Sequence, residues 1–178
     1  MKNKIVVIGS SNVDLIMKMD HLPEKGETVT DAEFFQVYGG KGANQAVAAA
    51  RAGGNVACVS CVGEDAYTPQ MVQNYKNDGI DTRFVSEEVG VASGHALIMI
   101  GSDGDNCISV APEAMYAMSG KVNLQTEKRR WGNVGRIFAS VEKSGGYLDF
   151  GGTGAGFAPA RAGGAGIAAI SETISTAF

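Results

Sequence analysis

Apolar residues recur along this chain with two different periods, and the change of period marks out its elements. Lys4–Gly9 (KIVVIG) is a short apolar run ending in Gly-Ser-Ser-Asn, the pattern of a buried central strand. Val13–Asp20 (VDLIMKMD) has mixed alternation and predicts a second strand. His21–Glu27 reads as a turn. Thr28–Tyr38 (TVTDAEFFQVY) sets β-formers beside polar residues and predicts a half-exposed strand. The spacing over Ala43–Ala52 is helical, and Gly53-Gly54 closes it. Val56–Val62 predicts a buried strand, and Thr68–Asp78 a polar helix stopped by Gly79. Ser93–Ile100 and Asn106–Val110, joined by GSDGD, predict a hairpin.

Strand–helix–strand alternation predicts an α/β fold around a parallel sheet. The half-polar strands at 13–20, 28–38 and 93–110 predict a second, smaller antiparallel sheet, partly exposed. From about Met115 the periodicity fades. Residues 132–166 hold 11 glycines, and such density is costly to order, so no strand is expected there. Residues 122–131 (VNLQTEKRRW) and 166–178 (GIAAISETISTAF) read as two amphipathic helices.

Composition narrows the function classes. A length of 178 residues with 44% hydrophobic content suits one domain with a real core. The net charge of −4 leaves no basic stripe for phosphates, which argues against a nucleic-acid partner. No apolar run reaches the length of a membrane span. The opening MKNKIVVIGSSNVD reads as a first strand and not a secretory leader, so a cytoplasmic protein is expected. Cysteines 58, 61 and 107 are odd in number, which speaks against a disulfide framework. Cys58 and Cys61 form a C-x-x-C, but inside a strand positions i and i+3 face opposite ways. Both are expected as buried core residues.

The candidate chemistry lies in VYGGKGANQAVAAARAGG, Val37–Gly54. It is not a Walker loop, because Lys41 is followed by Gly42 and not by a hydroxyl residue. No G-x-G-x-x-G strand–turn–helix unit is present either. Gly39, Gly40 and Gly42 permit close approach of a ligand to the backbone. Lys41 and Asn44 supply donors, and Asn44 also an acceptor, so it matches a hydroxyl that both gives and takes a hydrogen bond. Asn12 and Asp14 stand just beyond the first strand, where ligands of doubly wound sheets bind. Two residues apart, they face one side of an extended chain. Taken singly, Asp14 reads as a turn residue, Asn12 as a loop cap and Lys41 as a surface charge. Together they suit a small polyhydroxylated molecule, with the carboxylate accepting from neighbouring hydroxyls.

These segments, with Pro23-Glu24-Lys25-Gly26-Glu27-Thr28 between them and SGHALIMIGSDGDNCISVAPEA after them, resemble the ribokinase-like sugar kinases of the PfkB family. The resemblance covers residues 4 to about 114 and is to the amino-terminal part of that family. It implies a Rossmann-like ribokinase fold, here truncated, with a small β-sheet lid that clasps a second copy in a homodimer. It implies ATP-dependent, Mg²⁺-assisted phosphorylation of a sugar hydroxyl, ribose being the first candidate. Carried over, the sugar-binding positions are Asn12, Asp14, Gly40, Lys41, Gly42, Ala43 and Asn44. The family's base and anion hole lie in a late G-A-G-D motif. Here Gly154, Ala155 and Gly156 are followed by Phe157, and in so Gly-rich a stretch the triplet is read as chance. No catalytic residue and no nucleotide-binding residue is therefore assigned. The family's lid ending is also altered, to Pro112-Glu113-Ala114-Met115. Residues 1–115 are expected to form the kinase-like part, and residues 116–178 a divergent tail, out of frame with a kinase gene or disordered. Such a tail would leave the sheet short of strands, with an apolar edge exposed. The expectation is a chain that holds the sugar but does not turn it over; the alternative is a non-catalytic sugar-binding or dimerisation module.

Overall fold

A computed structural model describes residues 4–114 in full, together with the backbone of strands at 134–143, 146–152 and 158–159. Strand β1 (Lys4–Gly9) leads through Ser10-Ser11 into β2 (Asn12–Lys18). Then follow β3 (Glu33–Gly39), α1 (Lys41–Arg51), β4 (Asn55–Gly63), α2 (Thr68–Asn77) and β5 (Asp81–Glu88). The chain continues through β6 (Gly94–Ile100), β7 (Asn106–Ala111), β8 (Val134–Lys143), β9 (Gly146–Gly152) and β10 (Ala158–Pro159).

Two sheets result. The core sheet runs β10-β9-β8-β1-β4-β5, and the lid sheet runs β3-β2-β6-β7. In the core sheet β1 pairs in parallel with both β4 and β8, and β4 pairs in parallel with β5. One face of this sheet carries both helices: Val7, Val56, Cys58 and Val62 pack there against Ala43 and Ala46 of α1 and Met71 and Tyr75 of α2. Neighbours Val6, Ile8, Ala57, Val59 and Cys61 point the other way and are buried too. These strands are apolar throughout for that reason. Cys58 and Cys61 thus lie on opposite faces, both free and buried, and burial pushes the Cys58 thiol up to about 12.

The structure departs from the sequence reading at four places. The lid sheet is mixed: β2 and β6 pair in parallel, Asn12 opposite Gly94 through Lys18 opposite Ile100. Both strands follow a core strand, β1 and β5, so both leave the core sheet in one direction. Strand β3 is shorter than expected, because its partner β2 ends at Lys18, opposite Glu33, and residues 28–32 have nothing to pair with. Strand β5 was not foreseen; its sequence DTRFVSEE is too polar to signal a strand, and pairing along β4 creates it. Strands β8 and β9 form where none was expected, and β8 covers the edge of β1 that the sequence reading left exposed. The helices expected at 122–131 and 166–178, and the Gly154–Phe157 stretch, lie outside the described residues. No described helix is long and apolar enough to cross a membrane.

Candidate functional site

The two sheets meet at Ser10-Ser11 and at Gly39-Gly40, where the chain passes from core to lid and back. Helix α1 starts at Lys41, two residues before its expected start, so the lysine and Gly42 form its first turn and not a loop. The fit is close. A Cβ on Gly42 would lie 2.5 Å from the carbonyl carbon of Gly9, so this turn rests directly on the end of β1. Gly40 has φ +98°, a conformation that favours glycine, and a Cβ there would meet the Ser10 carbonyl oxygen at 2.7 Å. The Ala43 amide donates to that same oxygen at 3.0 Å. Backbone alone therefore fixes the start of α1 against the β1–β2 junction.

Asn12 and Asp14 occupy one face of β2, as their spacing predicts, with Gly39 opposite Asn12 on β3. The Asp14 carboxylate leans across to β3: a Cβ on Gly39 would sit 2.1 Å from Asp14 Oδ2. A bare Gly39 leaves the space that this carboxylate occupies. Asp14 is half-buried, and burial, with no charge or hydrogen bond offsetting it, raises its pKa above the usual value. Asn12 is buried, and its Oδ1 finds no hydrogen-bond partner among the described residues. Two acceptors on one face, one charged and one neutral, are thus partly stripped of water and await donors. Lys41 and Asn44 are exposed on the first turn of α1, while Gly42 and Ala43 are buried beneath them. Asn44 also borders a cleft of about 400 Å³ between α1 and α2, with Tyr38, Arg51, Asn74 and Asp78 on its walls. Asn12, Asp14 and Lys41 do not line that cleft.

Sequence reasoning missed the groups that hold this corner in place. Ser11 is fully buried, and its Oγ lies 2.8 Å from Ser60 Oγ and 2.5 Å from Tyr75 Oη. At the other crossing, Asp65 accepts from the amides of Tyr67 (2.9 Å), Thr68 (3.1 Å) and Ser93 (2.7 Å). Serines and an aspartate in loops give no periodic signal; GED after β4 was the nearest cue. Among the described residues no group of three His, Cys, Asp or Glu side chains is arranged to hold a metal ion.

Comparison with known proteins gives the lineage. The chain is 37% identical to ribokinase of Haemophilus influenzae over 127 residues, which is 71% of this chain and 42% of that protein. It is 45% identical to ribokinase of Bacillus subtilis over 110 residues, 62% of this chain and 37% of that one. The structure of Arabidopsis thaliana ribokinase complexed with ribose and ATP superposes with a TM-score of 0.57 at 33% identity, over 64% of this chain and 37% of the plant protein. The chain thus spans about two fifths of the curated relatives it matches. Residues 2–129 match the pfkB family carbohydrate kinases, beyond the boundary near 114 expected from motifs. The chain belongs to the pfkB family of carbohydrate kinases.

Proposed function

We propose that this chain is the sugar-holding part of a ribokinase-type kinase, in which a ribose-like sugar is positioned for phosphoryl transfer from ATP. The observation that carries the reading is the buried, unpartnered Asn12 Oδ1 beside the half-buried Asp14 carboxylate on one strand face. Sugar hydroxyls donate to both. Asp14 then recovers the hydrogen bonding it lost on burial, and its charged form is stabilised. Lys41 and Asn44, exposed on the first turn of α1 that Gly40 and Gly42 seat against the β1–β2 junction, supply donors from the other side. A donor-rich corner of this kind discriminates hydroxylated ligands from apolar isosteres, because the isostere leaves the acceptors unpaired.

Phosphoryl transfer requires a base for the attacking hydroxyl and cations on the transferred group. Within these 178 residues the Gly-Ala-Gly triplet runs into Phe157, so we assign them sugar binding without turnover. ATP and Mg²⁺ are the co-substrate and cofactor of the complete reaction. The second feature of the reading is a homodimer through the lid. Phe35, Val37, Ile108 and Val110 are exposed on the strand face that bears Asp14. Titration calorimetry with ribose, followed by an assay of ADP release from ATP, tests the proposal. Ribose binding without ADP release is the expected result. ADP release would overturn the non-catalytic assignment, and no heat at millimolar ribose would overturn the site.

A further inference from the structure

The two-residue link between the core sheet and the lid is the shortest route from the core to Asn12. Its second residue, Ser11, is fully buried and points into the helix-bearing layer. There its Oγ meets two hydroxyls from elements distant in sequence, Ser60 on β4 and Tyr75 on α2. Tyr75 is itself packed among Val7, Cys58 and Met71, and Ser60 is 2% exposed. Burial keeps the phenol protonated, raising it well above its ordinary value, so Tyr75 is available as a donor to Ser11. Ser60 is held in its turn, since Ser86 Oγ on β5 donates to its carbonyl at 3.4 Å. Apolar residues would fill this volume without any need for mutual orientation. Three hydroxyls fix one another's direction, because each carries a single proton and Ser11 Oγ is shared by both neighbours.

We propose that Ser11, Ser60 and Tyr75 form a positioning triad that sets the angle at which β2, and with it Asn12 and Asp14, leaves the core sheet. The assignment rests on the sugar-site reading for its functional consequence, but not for its mechanical one. Ser11 is bonded in sequence to Asn12 on one side and on the other to Ser10, whose carbonyl accepts from the Ala43 amide, so a rotation at Ser11 moves the sugar acceptors relative to the start of α1. Tyr75 and Ser60 are positioning residues: they act on Asn12 and Asp14 through Ser11, and Tyr75 also lines the cleft that Ala43 and Asn44 border.

The test is a double-mutant cycle on the full 178-residue chain. Tyr75→Phe removes one hydroxyl and keeps the ring. Hydrogen exchange of the Asn12–Lys18 amides, read without sugar, is expected to speed up by roughly three- to tenfold, and ribose affinity to fall by a similar factor. In a Ser11→Ala background the same Tyr75→Phe change is expected to add nothing to lid exchange, because its route to β2 is already cut. Met71→Leu, a core substitution in the same helix, lowers the melting temperature without altering β2 exchange. Should Tyr75→Phe fail to fold, Ser60→Ala carries the same cycle. Unchanged β2 exchange in Tyr75→Phe, or an equal rise with and without Ser11, overturns the triad. A wild-type chain that ignores ribose but shows the exchange pattern overturns the sugar reading and leaves the triad standing.

Discussion

At the scale of single residues, Asp14 and the glycines facing it make opposite demands on stability and binding. The folded state raises the Asp14 pKa, so protonation favours folding: its contribution to stability is complete below the ordinary carboxylate value and is lost as pH rises through the raised one. In the proposed site, ribose hydroxyls would donate to the charged form and relieve that cost. Affinity should therefore hold at neutral pH and weaken as pH falls through the raised pKa, with proton uptake on release of the sugar. Calorimetry across pH 4–8 (roughly the span in which a perturbed carboxylate titrates) checks the slope. Asp14→Asn should flatten it and cost about 1.5–3 kcal/mol of binding, roughly ten- to a hundredfold, while leaving the melting temperature unchanged or higher. Gly39→Ala and Gly42→Ala separate the two demands further. The first places a methyl 2.1 Å from a movable carboxylate oxygen, so it should abolish ribose binding at little cost in stability. The second places one 2.5 Å from the backbone of Gly9, so nothing can yield cheaply; unfolding should become easier by about 3 kcal/mol. Denaturant titration of both variants distinguishes them.

At the scale of elements, the lid is tied to the core at loops, and loops are what the sequence hid. The start of α2 shows how. Its first amides have no cap from the preceding residue, Tyr67, but Asp65 reaches over it to accept from Tyr67 and Thr68 and, with its other oxygen, from Ser93 at the root of β6. Burial pushes the Asp65 carboxyl up, yet the amides of Ser93, Tyr67 and Thr68 outweigh it and hold the group below its usual range. That stability is present above the unfolded carboxylate pKa and is lost as pH falls through the lower folded value. Asp65→Ala should cost about 1–3 kcal/mol, and the difference from wild type should shrink in acid; thermal melts at two pH values measure it. The periodic elements were legible because burial on both faces forces unbroken apolar runs, as in KIVVIG and NVACVSCVG. The tight start of α1 was legible because three glycines around Lys41 leave bare backbone that is uncommon at a helix start, and the structure packs Gly40 and Gly42 onto the β1–β2 junction. Strand β5 was not, since Asp81 is spent on ion pairs with Lys4 and Arg83, and its pattern is polar. Ser11, Ser60 and Tyr75 were not, since a hydroxyl's value depends on partners 49 and 64 residues away.

At the scale of the whole molecule, the lid sheet has one face too many. Register places Val37, Asp14, Ala96 and Val110 in one row, and Phe35, Ile16, Ile98 and Ile108 in the next. Phe35 is 42% exposed and Ile108 58%, so an apolar surface lies between Asp14 and, two rows away at the lid's far end, Glu33 beside Lys18. A monomer gains nothing by presenting it, and Lys18 covers only the Phe35 ring. The proposed homodimer would satisfy it by two-fold symmetry, each lid screening the other's proposed sugar site from water. Closing both apolar rows in this way would also deepen the burial of Asp14, tighten its hold on sugar hydroxyls in the proposed site and couple affinity to assembly. The chain should therefore sediment as a dimer at micromolar concentration. Ile108→Asp, at a position already exposed, should give a folded monomer whose ribose affinity is several-fold weaker. Analytical ultracentrifugation with paired calorimetry reads both quantities. A wild-type chain that stays monomeric at about 100 μM, well above the Kd of a standard-sized interface, would mean that the apolar rows serve another purpose.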